Sequence, residues 1–416
     1  PRITVMTSKV AIEKNTLQSI NDVSALYDEY FSSIKEDLQN IGESNLLKTA
    51  GIIAFLRAVD RTNEQMMLGI KESFLISPDV FWDCAFRLHE LEMIDMYEDE
   101  VVRISDQVLS TYLFYSSFFK EKVLDFSDIL KNYFPGFRSK IIDALNPVLS
   151  AFDQNAIFNS IRPKVKEIWE NLVSLNDDAN LLALAELFWY LHPTATLSFV
   201  QKRLSQSQFT AADFSQLEQI DENKLNNVSI ITELQLLGQF RYATPDLRNV
   251  ALELLMDYLD RRPAEILQVL HILVDDYGFD RFSNQTGVSI QQKVVDLLWE
   301  RTENGQNELY SRLFISVGRE YLKTHFQTNE MRSKMTVAIY SFTLQPTPEI
   351  FQLRASIFDH LFELYKNYQK YVFPVLENYV KAYHQAASDE IFSNDAVSLT
   401  SFIQTNLTSQ NYIHII

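Results

Sequence analysis

Glycine, cysteine and positive charge are all scarce in this chain. There are nine glycines and one cysteine among 416 residues, and 37 Lys and Arg stand against 55 Asp and Glu. So few glycines disfavour phosphate-cradling loops and the many tight turns of all-β and dinucleotide-binding folds. No Gly is followed by Lys, and neither Gly-x-Gly-x-x-Gly nor Gly-x-Ser-x-Gly occurs. A lone Cys84 forbids an internal disulfide. It lies between Trp82 and Phe86 on an apolar face, where a small core residue is expected rather than a reactive thiol. Cys-x-x-Cys and His-Glu-x-x-His are absent, so no metal site and no catalytic residue is expected. No apolar run is long enough to span a bilayer, and no signal-peptide pattern opens the chain. The expected compartment is cytoplasmic, and the sequons at Asn227, Asn284 and Asn406 are read as chance. The net charge of −18 makes free nucleic acid a poor partner.

What is abundant is apolar surface at helical spacing. Hydrophobic residues make up 46% of the chain and aromatics 12%, enough for two or three domains or a repeat array. Ile3 to Glu43 reads as two helices. From Asn45 the pattern is helix (to Val59), helix (Thr62 to Ser73, with Thr62 and Asn63 as candidate caps) and a third helix opened by Ser77-Pro78-Asp79. Met93–Tyr97 and Val101–Ile104 flank the turn-like Glu98-Asp99-Glu100, and Ser105-Asp106 caps a helix from Gln107 to Phe119. Helix, helix, helix and hairpin is the order of a winged helix. Yet the third helix carries Asp79, Asp83 and Glu90 against one Arg87, the wrong sign for a groove-reading element. A protein-packing module is therefore the first reading, and a winged-helix DNA-binding transcription regulator with a helical effector domain the second.

Beyond Lys122 the pattern becomes paired helices: one from Phe126-Ser127-Asp128 to Phe134-Pro135, then Phe137–Ala151, Arg162–Leu175, Asn180–Leu191 and Pro193–Leu204. Ser205 to Asn227 is a polar, acidic connection. Octapeptides beginning at Arg248, Gln291 and Arg354 resemble one another, and Arg162 begins a weaker copy. The step from Glu253 to Asp296 suits a two-helix HEAT or armadillo unit, and the step from Glu167 to Glu253 is twice as long. The longer step to Asp359 leaves room for an extra helix, Asn329 to Phe342. Helices with one broad apolar face joined by short turns must stack to bury it.

Residues with chemical potential have ordinary readings. The seven histidines are far apart in sequence; His271 sits in an apolar run as a hydrogen-bonded core residue, and His360 beside Asp359 points away from it. Acid pairs such as Asp275-Asp276 are expected at exposed helix ends. The aromatic runs Tyr112–Phe119 and Phe188–Tyr190 suit inter-helix packing, with a groove for a partner peptide as the alternative. Tyr365, Tyr368 and Tyr371, with Lys366, Lys370 and Lys381, make the most basic aromatic patch, a candidate for stacking nucleic acid; Tyr365, Tyr368, Tyr371 and Lys370 are the candidate partner-binding residues.

Pro1-Arg2 and the helices that follow resemble the opening of the lid that ends the nucleotide-binding domain of AAA+/STAND-type ATPases. Phe81–Ile94 and Ile104–Leu113 are similar to the winged helix that follows that lid. The resemblance implies an all-α architecture: a lid-like segment (1–44), a winged-helix module with a small β-hairpin (45–120), a helical-repeat subarray (121–205), a connection (206–227) and an α-solenoid of HEAT, armadillo or TPR-like type (228–416). It implies that Arg2 senses nucleotide only together with an upstream domain, since the P-loop and catalytic acids are missing here. The chain begins without Met, which is expected of part of a longer protein. No cofactor is expected within this region; ATP and Mg would belong to an upstream domain. The expected function is non-catalytic: a regulatory, protein-binding arm coupling a sensed partner to that domain. The implied partners are a protein or peptide and, through the upstream domain, further copies of the chain, with no membrane contact.

Overall fold

The computed structural model describes residues 44–214, 217, 225, 227–333, 336–382 and 389–406. The chain divides into two compact units, Pro1–His192 and Pro193–Ile416. It is mostly helical with small antiparallel sheets, in keeping with the all-α class expected. The lid-like segment 1–44, Arg2 included, lies outside the described residues apart from Ser44.

In the first unit the order is α1 (Ser44–Leu56), β1 (Ala58–Asp60), α2 (Glu64–Phe74), α3 (Pro78–Glu90), β2 (Asp95–Tyr97), β3 (Val101–Arg103) and α4 (Gln107–Tyr115). Local chemistry sets each start. Asn63 accepts a hydrogen bond from the Met66 N–H, Ser77 from Val80 with Pro78 behind it, and Asp106 from Val108 and Leu109. The expected hairpin gains a third strand. β3 lies between β1 and β2, with Val102 opposite both Val59 and Met96. Val59 was expected inside the first helix; as a β-branched residue opposite Val102 it is wholly buried in the sheet instead.

The helix expected to run unbroken from Gln107 to Phe119 changes to a π-helical turn at Ser116–Lys120. The widened turn presents Ser117 to α1, and its hydroxyl shares its one proton between the Leu47 carbonyl of that helix (2.9 Å) and the Leu113 carbonyl of α4 (2.7 Å). Gly51 permits this approach, since a Cβ there would stand 2.4 Å from Ser117 Oγ. Then come α5 (Phe126–Asn132), α6 (Arg138–Ala151), α7 (Gln154–Ser174) and α8 (Asp178–Phe188). The cap of α5 is Asp125, which accepts from Ser127 N–H, rather than a residue of Phe126-Ser127-Asp128.

The helix expected to begin at Arg162 starts earlier, at Gln154, so that Pro163 lies within it. The loss of one donor is outweighed by burial of Ile157, Ile161, Val165 and Ile168 along a single stripe. One continuous core joins Leu46 to Leu191, so the boundary expected at 120/121 does not separate two cores. Phe118 and Phe119 meet Phe126 at 6.5 and 5.7 Å, and Tyr133 stacks on Phe74 at 5.6 Å.

The second unit contains α9 (Pro193–Ser205), α10 (Thr232–Gln239), α11 (Pro245–Arg261), α12 (Ile266–His271), a π-helical turn (Ile272–Asp276), α13 (Ser283–Thr286), α14 (Ser289–Arg301), α15 (Glu308–Tyr321), strands β4 (His325–Ser333) and β5 (Thr336–Thr343), α16 (Pro348–Ala382) and α17 (Asp389–Asn406). From α14 to α17 each helix packs on the next in sequence. The related octapeptides share a burial frame. Leu252 and Leu255, Val295 and Leu298, and Phe358 and Leu361 are buried, while the aligned Glu253, Asp296 and Asp359 lie outward. Arg301 then joins neighbouring helices, meeting Glu253 at 2.8 Å and Asp260 at 2.9 Å.

The extra helix expected from Asn329 to Phe342 is instead the β4–β5 hairpin, with Phe326 opposite Phe342. The run from Thr336 to Thr343 holds Val337 and Ile339 between threonines. Such β-branched residues are stiff in helices and favoured in strands. Between Ile339 and Thr343 exposure alternates residue by residue, and the Phe326 and Phe342 rings stack at 5.3 Å.

Candidate functional site

A cleft of about 310 Å³ opens in the second unit between α15 and the second half of α16. α16 bends at Tyr368, whose backbone leaves the helical region (φ −124°, ψ 34°). Pro374, inside the same helix, has no N–H to give the Lys370 carbonyl. This irregular stretch carries Lys370 and Tyr371 onto the cleft wall, opposite Arg312, Ser316 and Arg319 of α15.

The cations are held by aromatic and acidic neighbours. The Arg312 guanidinium stands 3.5 Å from the centre of the Tyr371 ring and 5.1 Å from that of Phe214, with 4% of its surface exposed. Glu308 lies 3.6 Å from it. Arg319 donates to Glu320 at 2.9 Å, and Lys323 reaches the same carboxylate at 2.6 Å. Lys370 sits 5.2 Å from the Tyr371 ring centre. Among the described residues, no carboxylate lines the cleft.

Two of the candidate partner-binding residues, Lys370 and Tyr371, therefore share one wall. The other two are elsewhere. Tyr365 is buried edge-on to Phe402 at 5.0 Å and its hydroxyl accepts from Gln369, while Tyr368 donates to the Gly305 carbonyl at 3.1 Å. Lys366 and Lys381 bind Glu363 and Glu377 on their own helix. Arg312 and Arg319 were not singled out from the sequence. Their helix lies some fifty residues before Lys370, and only the fold brings the two together. Arg2 lies outside the described residues.

A second polar group surrounds the π-helical turn. His271 Nε2 is 3.2 Å from Asp275, and its Nδ1 is 3.0 Å from the Leu225 carbonyl, the hydrogen-bonded role expected of it. Asp276 departs from the exposed position expected for an acid pair. It is half-buried against α10, where a Cβ on Gly238 would stand 2.2 Å from its Oδ2. Burial pushes its carboxyl up to about 6 from an ordinary 3.8, with Asp275 adding to the shift and His271 and Arg241 opposing it.

The folded chain thus holds this proton more tightly than the unfolded one, so its contribution to stability is greatest below pH 3.8 and declines as pH rises to about 6. Asp276→Asn is expected to shrink that decline and to melt above the parent at pH 7. A melting-temperature profile parallel to the parent's across this window would refute the assignment. His360, stacked on Trp299 at 4.0 Å, is held below its ordinary value by burial and is a packing residue.

Among the described residues no group of His, Cys, Asp and Glu is arranged to hold a metal ion, and no helix is long and apolar enough to cross a membrane. Comparison with protein-family models, with curated proteins and with solved structures finds no match.

Proposed function

We propose that this chain is a non-catalytic regulatory and protein-interaction region of a STAND-like ATPase, in which a helical array senses a partner and passes its binding to an upstream nucleotide-binding domain. The order α1–β1–α2–α3–β2–β3–α4, with β3 central, supports reading residues 45–120 as a winged helix. The serial packing of α14 to α17 and their shared burial frame support reading the later helices as a solenoid-like array.

The observation that carries the interaction role is the outer face of α3. Asp79, Asp83, Arg87, His89 and Glu90 are exposed there, and Arg87 is tied to Glu90 at 2.6 Å. A face so charged repels phosphates, whereas DNA affinity depends on their neutralisation. Fluorescence anisotropy with a labelled duplex across a salt series is expected to show no salt-dependent binding by the parent. The variant Asp79→Lys, Asp83→Lys, Glu90→Lys is expected to acquire it, because the substitutions replace the charges that repel phosphates. Binding of the parent with a steep salt dependence would favour the transcription-regulator reading, and ATP turnover by this chain alone would overturn the non-catalytic assignment.

A further inference from the structure

The turn between α2 and α3 breaks two local preferences at one residue. Leu75 caps α2 with its backbone in the left-handed region (φ 53°, ψ 40°), where glycine is favoured because a Cβ crowds the following carbonyl. Its side chain is also 87% exposed, so the fold gains almost no packing from it. A residue that opposes its own backbone conformation and touches little inside the molecule has its use outside it.

Leu75 has a companion. Its N–H still bonds the Lys71 carbonyl, so it keeps a helical place two turns beyond Leu68. Leu68 is itself 52% exposed. Residues seven apart share one side of a helix, and this side faces away from the one that buries Met67, Ile70 and Phe74. Val80 adds exposed apolar surface in the first turn of α3.

The ridge has an acidic border. Glu64 and Glu72 each lie one turn from Leu68 along α2, and Asp79 and Asp83 are exposed on the first two turns of α3. Among the described residues none of these four carboxylates forms an ion pair, and Lys71 is the only cation within α2. Apolar anchors ringed by charge are the layout of a protein interface, and the sign of the ring selects the partner.

The spacing selects its shape. Two leucines two turns apart along one helix fit the apolar stripe of a second helix laid beside it. The carboxylates then call for Lys or Arg on the flanks of that stripe. A second copy of this chain would bring the same acids against them, and nucleic acid or an anionic membrane would bring phosphates.

We infer that the Leu68–Leu75 ridge docks a partner protein through a basic amphipathic helix lying along α2. The inference rests on reading the chain as a protein-interaction region, and it adds the chemistry of the partner.

The test is isothermal titration of the full chain with three peptides of equal length. One has a leucine stripe at helical spacing with lysines on both flanks, one is a scramble of the same composition, and one carries glutamate in place of each lysine. The striped lysine peptide is expected to bind at least tenfold more tightly than the other two. Leu68→Gln and Leu75→Gly are each expected to weaken that binding at least tenfold. Leu68→Gln should melt with the parent, and Leu75→Gly level with it or above, because glycine relieves the cap. Asp79→Lys, Asp83→Lys is expected to weaken binding at least tenfold as well. Equal affinity for the scramble, equal affinity for the glutamate peptide, or undiminished binding by both leucine variants overturns the inference. So does a Leu75→Gly chain that melts below the parent, which would give the leucine a role in the fold. Sedimentation showing a parental dimer that either leucine variant dissolves would make a second copy the occupant and overturn it too. None of these results bears on the duplex or ATP experiments above, so the ridge can lose this assignment while the interaction-region reading stands.

Discussion

Arg354→Ala is expected to destabilise the second unit by roughly 3–5 kcal/mol, the usual cost of leaving one member of a buried ion pair alone. The guanidinium donates from Nε and Nη2 to Asp395 Oδ2 at 2.8 and 2.6 Å, and Nη2 also reaches the Leu322 carbonyl at 3.0 Å. The Tyr379 hydroxyl donates to the same carboxylate oxygen. Arg354 is 1% exposed and Asp395 1%, so water cannot replace a lost partner. The pair ties α16 to α17 and to the end of α15. Removal of Arg354 leaves the buried Asp395 carboxylate with the Tyr379 hydroxyl but no countercharge, and a buried charge without one costs several kcal/mol.

The double variant Arg354→Met, Asp395→Leu separates the charge from the packing. It is expected to remain near parental stability, because the desolvation of two ions disappears along with their attraction. Thermal melting followed by circular dichroism reads both variants, at about 2–4 °C per kcal/mol for a unit of this size. A single variant that melts within two degrees of the parent would show that the pair contributes nothing.

Phe118→Ala is expected to cost the first unit about 3–5 kcal/mol through lost burial and the cavity left behind. Phe118 is 1% exposed and lies 4.7 Å from Phe114, 6.4 Å from Phe74 and 6.5 Å from Phe126. It thus joins α2, α4 and α5 across the segment where two domains were expected to meet. Phe118→Leu, which keeps much of the volume, is expected to lose considerably less. Urea unfolding with a constant slope would report the difference as a shift in midpoint. If the alanine variant unfolded at the parental midpoint, the aromatic density of residues 112–119 would need a role other than packing.

Much of the chain was legible because its signals are local. Asn63, Ser77 with Pro78, and Asp106 cap helices through contacts two or three residues away, so their sequence neighbours suffice to place them. The acidic face of α3 was likewise readable, since helical spacing alone brings Asp79, Asp83, Arg87 and Glu90 toward one side. Misreadings fell where a distant contact outweighed a local preference. The helix expected to begin at Arg162 starts at Gln154, because four buried aliphatic residues carry α7 straight through Pro163. Val59 continued a helical stripe, but pairing with Val102, far along the chain, drew it into a strand. Residues 329–342 were assigned by the length of a gap between repeats rather than by their own alternation, and they form a hairpin.

The candidate site was half visible. Tyr371 and Lys370 stood out as a basic aromatic pair, whereas Tyr365, equally prominent in sequence, is packed against Phe402. Helical spacing cannot tell which of several tyrosines faces a neighbour when a bend at Tyr368 rotates the second half of the helix. Composition, caps and apolar stripes were enough to place many of the helices and to show that the sequence carries none of the glycine motifs sought, because such features act over a few residues or over none. The cleft between α15 and α16, the Arg354–Asp395 bond and the half-buried Asp276 belonged to the folded chain alone, since each depends on side chains from separate helices that meet only after those helices have covered one another's apolar faces.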